Sequence, residues 1–149
     1  MSAPIMPAER VVDLARDWIG TPYRHQASRQ HAGTDCLGLL RGVWRALYGA
    51  EPEVVPPYSQ DWAEPQGDEA LLKAALRYLL PQRNDLSAGD VLLFRMRDGA
   101  IAKHVGICSQ AGSAPYFIHA YSGHAVTESP LSLPWQRRIA ARFSFPMGV

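Results

Sequence analysis

One cysteine in this sequence is placed where its thiol could act as a nucleophile. Cys36 lies in the segment GTDCLGLL, at the start of an apolar pattern with helical spacing. The free N–H groups and the dipole of a helix N-terminus stabilise an anion, so a thiol there is expected to have a lowered pKa and to be reactive. Free cysteines are also often inert core residues, and position alone leaves that alternative open. Gly33 and Gly38 favour the nucleophile because small neighbours let a substrate backbone approach. Asp35 or Thr34 is expected to cap the helix.

Two histidines could supply the base that a catalytic thiol needs. His104 and His119 lie in the runs KHVGICS and YFIHAYS, whose apolar alternation predicts core strands. A lone core histidine is usually a structural residue, but two on neighbouring strands, with a helix-start cysteine, favour a Cys–His pair. The second imidazole would then hold the first in one tautomer. The other histidines are predicted to lie at the surface: His25, His31 and His124.

Other chemistry fits these residues less well. Cys36, His104 and His119 could bind zinc in principle, but they lack the short paired spacing of zinc ligands, and no metal or cofactor is predicted. Cys108 shares a strand face with His104 and is expected to fill space in the core. Four carboxylates are expected to be helix caps and surface groups rather than an acid/base pair: Asp13, Asp17, Asp68 and Glu69.

Composition limits the class of protein. The 149 residues, 47% of them hydrophobic, predict a single domain over residues 1–149. The net charge of +1 argues against a nucleic-acid partner, and two cysteines do not make a disulfide framework. The N-terminal segment MSAPIMPAERVVDLARDW lacks the pattern of a secretory signal. No apolar run approaches the roughly 18 residues of a membrane span, so no membrane insertion is expected.

Helices are predicted in the first half of the chain. Apolar residues recur at helical spacing over Pro7–Ile19 and over Cys36–Tyr48, where Gly49 ends the pattern. Asp68 is expected to cap a third helix that runs to about Leu80. Between them, a long segment over residues 50–67 contains four prolines and is either a packed excursion or a wall of a substrate groove or docking surface.

Strands are predicted in the second half. The runs GDVLLF, KHVGICS, YFIHAYS, HAVTES and RRIAARFSF alternate between apolar and polar residues or are continuously apolar. Helices first and antiparallel strands afterwards predict an α+β fold, with the N-terminal helices packed on one side of an antiparallel β-sheet.

These motifs together resemble the NlpC/P60 cysteine peptidases. The resemblance is carried by TDCLGLL, KHVGI and FIHA, in that order along the chain. Several further segments are similar to the phage-type subgroup of small tail-associated peptidases, including those of phage-like gene transfer agents: GTPYRHQA, GVWRALYG, AGDVLLF, HAYSGHAV and the arginine-rich last strand. The resemblance implies a papain-like fold.

The resemblance also implies an activity and the residues that perform it. The expected reaction is hydrolysis of peptidoglycan stem peptides, at the bond between D-glutamate, through its side-chain carboxyl, and meso-diaminopimelate. Cys36 is then the nucleophile, His104 the general base and His119 the orienting third residue.

Three neighbouring positions are interpreted in the same way. Tyr23 matches a tyrosine that hydrogen-bonds near the thiol in relatives. Asp35 and Leu37 flank the nucleophile and are the expected substrate-binding residues. Leu37 departs from the family pattern, since many relatives have serine there, and a contact made by that serine is not carried over to this chain.

The phage-type resemblance implies a setting as well. The peptidase is expected to be assembled in the cytoplasm without a signal peptide and carried in a virion or gene-transfer-agent tail. It would act in the envelope of the target cell and dock on a tail hub or baseplate protein. One alternative is a structural tail-hub component with a peptidase fold and little activity. Another is a different thiol acyl chemistry, such as amidase or acyl transfer.

Overall fold

The computed structural model describes residues 3–58 and 69–148. Helices dominate the first half of the described chain and strands the second. No helix in these ranges is long and apolar enough to cross a membrane. The elements in chain order are α1 (Ala8–Arg16), β1 (Ser28–Arg29), β2 (Gly33–Thr34), α2 (Cys36–Tyr48), α3 (Ala70–Tyr78), β3 (Leu80–Gln82), β4 (Val91–Arg95), β5 (Ala102–Gln110), β6 (Tyr116–His119), β7 (Thr127–Pro130), α4 (Leu133–Gln136) and β8 (Ile139–Ser144).

The frame of the molecule is a six-stranded antiparallel sheet in the order β3-β8-β4-β5-β6-β7. Successive side chains of the central strand β4 point to opposite faces of the sheet, and both faces are covered by packed residues. Val91 and Leu93 pack in the core that includes α1, α2 and α3, whereas Leu92 and Phe94 pack in a smaller cluster on the other face. The predicted α+β class and antiparallel sheet are confirmed.

The helix that carries the candidate nucleophile has the predicted bounds, Cys36–Tyr48, and ends at Gly49, whose φ of 94° suits glycine. The first helix is shorter than predicted. It ends at Arg16, because residues 17–20 form a turn in which the N–H of Gly20 donates to the carbonyl of Val126.

The third helix also differs from the prediction. It spans Ala70–Tyr78, and the cap proposed at Asp68 lies outside the described residues. The following residues, Leu80–Gln82, form strand β3 instead of a helix end, because they pair with β8. Pro81 is tolerated there since β3 is the edge of the sheet.

The segment between the first two helices contains a short β-hairpin that the sequence pattern does not predict. Strands β1 and β2 pair antiparallel, and Tyr23 forms an isolated parallel bridge to Thr34. The hairpin lies tightly against the start of α2: a Cβ added at Gly38 would come within 1.9 Å of the Ala27 carbonyl oxygen. The second glycine of GTDCLG is therefore required by backbone packing.

Helix α2 packs closely against the segment that follows α1. A Cβ added at Gly42 would lie 2.0 Å from the indole of Trp18, the buried residue just after α1. This contact limits how closely α2 can approach the end of the first helix.

We predict that Gly42→Ala destabilises the protein. Helix propensity alone would favour alanine by about 1 kcal/mol, but overpacking against Trp18 should reverse the sign and cost about 1–3 kcal/mol. Urea denaturation measures the difference. Ala46→Gly, at an exposed position of the same helix, reports propensity without a clash and should cost about 1 kcal/mol. A more stable Gly42→Ala protein would contradict the packing argument.

Candidate active site

Cys36 is the first residue of α2, and Asp35 is its cap. The Asp35 carboxylate accepts a hydrogen bond from the backbone N–H of Gly38 at 2.7 Å, as expected for a residue that caps a helix N-terminus. Thr34, the alternative cap, donates its hydroxyl to the carbonyl of Asp35 instead. The capped helix start holds the thiol facing the sheet.

The Asp35 carboxylate also binds two loops to the start of α2. Its second oxygen accepts hydrogen bonds from the backbone N–H of Gln26 at 2.7 Å and from the hydroxyl of Tyr58. Its side chain is only 3% exposed. Both oxygens are thus engaged within the protein, and the substrate-binding role predicted for Asp35 stays a prediction.

His25 was predicted to lie at the surface, and this is wrong. Its side chain is 28% exposed, and Nδ1 lies 3.8 Å from an Asp35 oxygen. Nε2 donates to the carbonyl of Tyr58 at 2.7 Å, which draws the ring inward. His31 and His124 are exposed, as predicted.

The surroundings of the Cys36 thiol favour its protonated form at neutral pH, although the residue is only partly buried. Burial, reinforced by the negative charge of Asp35, raises its pKa to about 12. Backbone N–H groups of Val105, Leu37 and Cys36 itself lower the pKa, but by less. The lowered pKa predicted from the helix N-terminus is therefore wrong, because burial beside a carboxylate outweighs the helix-end N–H groups.

His104 and His119 form a buried pair on neighbouring strands. His104 Nε2 lies 2.9 Å from His119 Nδ1, and the residues are 6% and 4% exposed. Burial lowers the pKa of both imidazoles, with a further contribution from His119 on His104 and from His124 on His119. Both rings are therefore neutral at neutral pH.

The hydrogen bond between the rings limits their tautomers. If His104 is to accept the thiol proton at Nδ1, its Nε2 must carry hydrogen and donate to His119 Nδ1. This is the orienting arrangement predicted for His119. Gly106 makes room for it, since an added Cβ would lie 3.2 Å from the Cβ of His119 and 2.8 Å from the ring of Phe117.

Cys36 and His104 line one cavity of about 350 Å³. The thiol is 3.9 Å from the carbonyl oxygen of Lys103, the residue before His104, and no hydrogen bond joins sulfur to imidazole within the described residues. Catalytic contacts are often long before substrate binds. The remaining lining residues are Tyr23, His25, Asp35, Leu37, Tyr58, Met96, Lys103, Ala120, Tyr121 and Ser122.

The other residues singled out from the sequence lie either in the cavity or in the core. Tyr23 and Leu37 are in the cavity, although the Tyr23 hydroxyl makes no hydrogen bond to the thiol among the described residues. Cys108 is fully buried in the smaller cluster, on the same sheet face as His104, as expected for a core residue. Within the described ranges, no group of three or more metal-binding side chains could hold an ion.

Sequence reasoning missed two parts of the site. Tyr58 belongs to the proline-containing segment, and its place in the cavity favours the groove-wall interpretation for the described part, residues 50–58. Trp135 contacts both imidazoles of the buried pair, with ring centroids 5.5 Å from His104 and 5.2 Å from His119. It lies in a four-residue helix that carries no recognisable motif.

The buried imidazoles should make stability depend on pH. Their pKa values are lower in the folded than in the unfolded protein, so the unfolded state binds more protons below about pH 6.5. Stability is then full above that pH and falls as pH decreases, by up to about 1.4 kcal/mol per pH unit for each histidine.

Urea denaturation between about pH 4.5 and about pH 7.5 measures this slope. His119→Gln should make it shallower, whereas His31→Asn, at an exposed position with φ of 66° that asparagine tolerates, should leave it unchanged. Equal slopes for His119→Gln and the unmodified protein would show that His119 is not held neutral by burial.

Comparisons with known proteins agree with the fold. The NlpC/P60 family model matches residues 20–143, and a comparison with curated proteins found no match. The NlpC/P60 domain of the peptidoglycan hydrolase SagA has a TM-score of 0.60 at 22% identity, covering 94% of this chain and all of that one. An NlpC/P60 family protein from Bacillus cereus ATCC 10987 has a TM-score of 0.63 at 19% identity, covering 97% of this chain and 42% of that one.

A third structure, Ly7917, has a TM-score of 0.59 at 12% identity, covering 96% of this chain and 64% of that one. At these identities the structures show a shared fold, while the family match extends over most of the chain. With a helix-start cysteine and a buried histidine pair at the motif positions, the chain belongs to the NlpC/P60 family.

Proposed function

We propose that this protein is a cysteine peptidase that hydrolyses peptidoglycan stem peptides. The observation that carries the proposal is that Cys36 and His104, from segments far apart in sequence, line one open cavity, while His119 is hydrogen-bonded to His104. A nucleophile, a neutral base and a group that orients the base are the elements that acyl transfer requires.

The reaction follows from the protonation states. The Cys36 thiol gives its proton to Nδ1 of His104 as sulfur attacks the amide carbonyl, so that no stable thiolate is needed beforehand. The Nε2–H of His104 stays hydrogen-bonded to His119, which stabilises the imidazolium. Backbone N–H groups at the start of α2, including that of Cys36, are placed to hold the oxyanion.

The second half of the reaction releases both products. The imidazolium returns its proton to the leaving amine, and the carbon–nitrogen bond breaks to leave a thioester on Cys36. A water molecule then gives a proton to His104 and attacks the thioester. The carboxylic acid leaves and the thiol is restored.

The substrate is proposed from family membership. We propose the bond between D-glutamate, through its side chain, and meso-diaminopimelate. SagA, which shares the fold, is described as a peptidoglycan hydrolase, and Ly7917 has been crystallised with a hydrolysis product of MDP. Leu37, in place of the serine of many relatives, makes this part of the cavity less polar.

A tail-associated role is the finer part of the proposal. It is supported by the similarity of segments such as GTPYRHQA and HAYSGHAV to phage-type peptidases. In that role the enzyme would be assembled in the cytoplasm, travel in a virion or gene-transfer-agent tail on a hub or baseplate protein, and open the wall of the target cell for DNA. Electron microscopy of tagged particles tests it, and absence from purified tails would refute it.

A structural tail component with the same fold is the main rival. A purely structural role does not require two neutral imidazoles buried beside an open cavity that contains a thiol, and this arrangement favours the enzyme. Amidase or acyl-transfer chemistry would use the same residues. Mass spectrometry of products from defined muropeptides separates these, since only the peptidase yields the two peptide fragments.

We predict that Cys36→Ala abolishes release of fragments from purified sacculi, with a rate loss of more than about 1,000-fold, because the acyl-enzyme cannot form. Cys108→Ala is the matched control. It removes the other thiol, which is buried four residues along β5 from His104 on the same sheet face and does not line the cavity, and it should keep full activity at a stability cost of about 1 kcal/mol. Unchanged product release from Cys36→Ala would end the proposal.

A further inference from the structure

The orienting histidine lacks the usual means of being oriented itself. His119 uses Nδ1 to bind His104, and within the described residues its Nε2 has no hydrogen-bond partner. In a catalytic triad the third group is normally held by further hydrogen bonds, which fix its direction. Within the described residues, contacts with the faces and edges of the ring therefore supply the other restraints on its rotation.

Aromatic packing supplies those contacts. Phe117 stacks on His119 with centroids 4.0 Å apart and planes at 25°. Trp135 meets His119 edge to face, at 79°, and lies over His104 at 35°. A single indole therefore contacts both imidazoles, and edge-to-face and offset contacts of this kind are favourable and directional.

The backbone around Trp135 is held on both sides. The N–H of Leu131, just before α4, donates to the carbonyl of Pro115. The carbonyl of Arg138, just after it, accepts from the N–H of Arg95 on β4. The position of the indole is thus tied to the same sheet that carries the two histidines.

The outer side of the indole faces a positive charge. The guanidinium of Arg138 lies 5.5 Å from the indole ring, and Arg138 is exposed. The indole therefore lies between solvent and the imidazole pair. Titratable or charged groups surround the imidazole pair on several sides. They are Cys36 and Asp35 at the start of α2, His25 in the loop before it, Lys103 on β5, Tyr121 and His124 after β6, and Arg138 after α4.

We propose that Trp135 is a positioning residue of the active site, which holds His104 and His119 in their hydrogen-bonded arrangement and keeps water from the pair. The proposal rests on the proposed peptidase function for its kinetic consequence. Its structural consequence, the orientation and neutrality of the two rings, does not depend on activity.

The kinetic test uses Trp135→Leu, which removes the ring and keeps an apolar side chain. We expect kcat to fall about 10-fold or more, because a loosened base is misplaced, with a much smaller change in KM. The acidic limb of the kcat–pH profile should move to higher pH, since access of water weakens the burial that lowers the pKa of His104. Trp135→Phe, which keeps a ring, should restore most of kcat and the position of the limb.

The control is Trp18→Leu, which removes an indole from the core on the helical side of the sheet. It should lower stability without moving the acidic limb. The proposal would be overturned if the acidic limb of the kcat–pH profile of Trp135→Leu coincided with that of the unmodified enzyme. If Trp135→Leu does not fold, Trp135→Met is judged by the same criteria.

Nitrogen-15 NMR of the histidine rings tests the proposal without substrate. In the unmodified protein, both rings should stay neutral on acidification well below pH 6.5, the ordinary pKa of histidine, and Trp135→Leu should raise their titration towards it. Unchanged ring signals in Trp135→Leu would refute the positioning role. An unmodified protein that shows the expected ring signals but cleaves no peptidoglycan would refute the proposed function alone.

Discussion

The hydrogen bond between His104 Nε2 and His119 Nδ1 is the contact on which the site depends. It joins the adjacent strands β5 and β6 on one face of the sheet. It requires that these strands pair in the register that brings the two imidazoles side by side. Gly106 permits it by leaving space beside His119 and Phe117. Because the bond occupies Nε2 of His104, the remaining nitrogen is left for the thiol. In the proposed reaction, the pairing of the two strands therefore decides which nitrogen of His104 accepts the thiol proton.

Burial determines the charge state of this site. The helix N-terminus would favour a thiolate, and a carboxylate as third residue would favour an imidazolium. In this protein, burial and Asp35 raise the pKa of Cys36, which outweighs the effect of the helix N-terminus. The third residue is a histidine, and burial lowers the pKa of His104. The resting pair is therefore thiol and neutral imidazole. In the proposed reaction, charge is created only as the substrate is attacked, when the oxyanion and the imidazolium form together.

Asp35 links the helix to the wall of the cavity. One oxygen caps α2 and the other binds Gln26 and Tyr58. The same carboxylate that positions the nucleophile therefore also positions two loops that surround it. A residue beside Cys36 can thus support the shape of the site while its own side chain is only 3% exposed.

Much of this protein follows from local sequence. Periodicity, capping and motif spacing act over a few residues. They predicted the bounds of the second helix with its Asp35 cap and Gly49 end, and the five longer strands. They also led to the choice of Cys36, His104 and His119 as candidate site residues. Tertiary structure decided what depends on distant parts of the chain. The first helix ends early because of Val126, residues 80–82 become a strand because β8 pairs with them, His25 turns inward towards Tyr58, and Trp135 covers the imidazoles. The pKa of Cys36 belongs to the second group as well, because desolvation depends on everything that surrounds the sulfur, whereas the helix start is a property of its immediate neighbours.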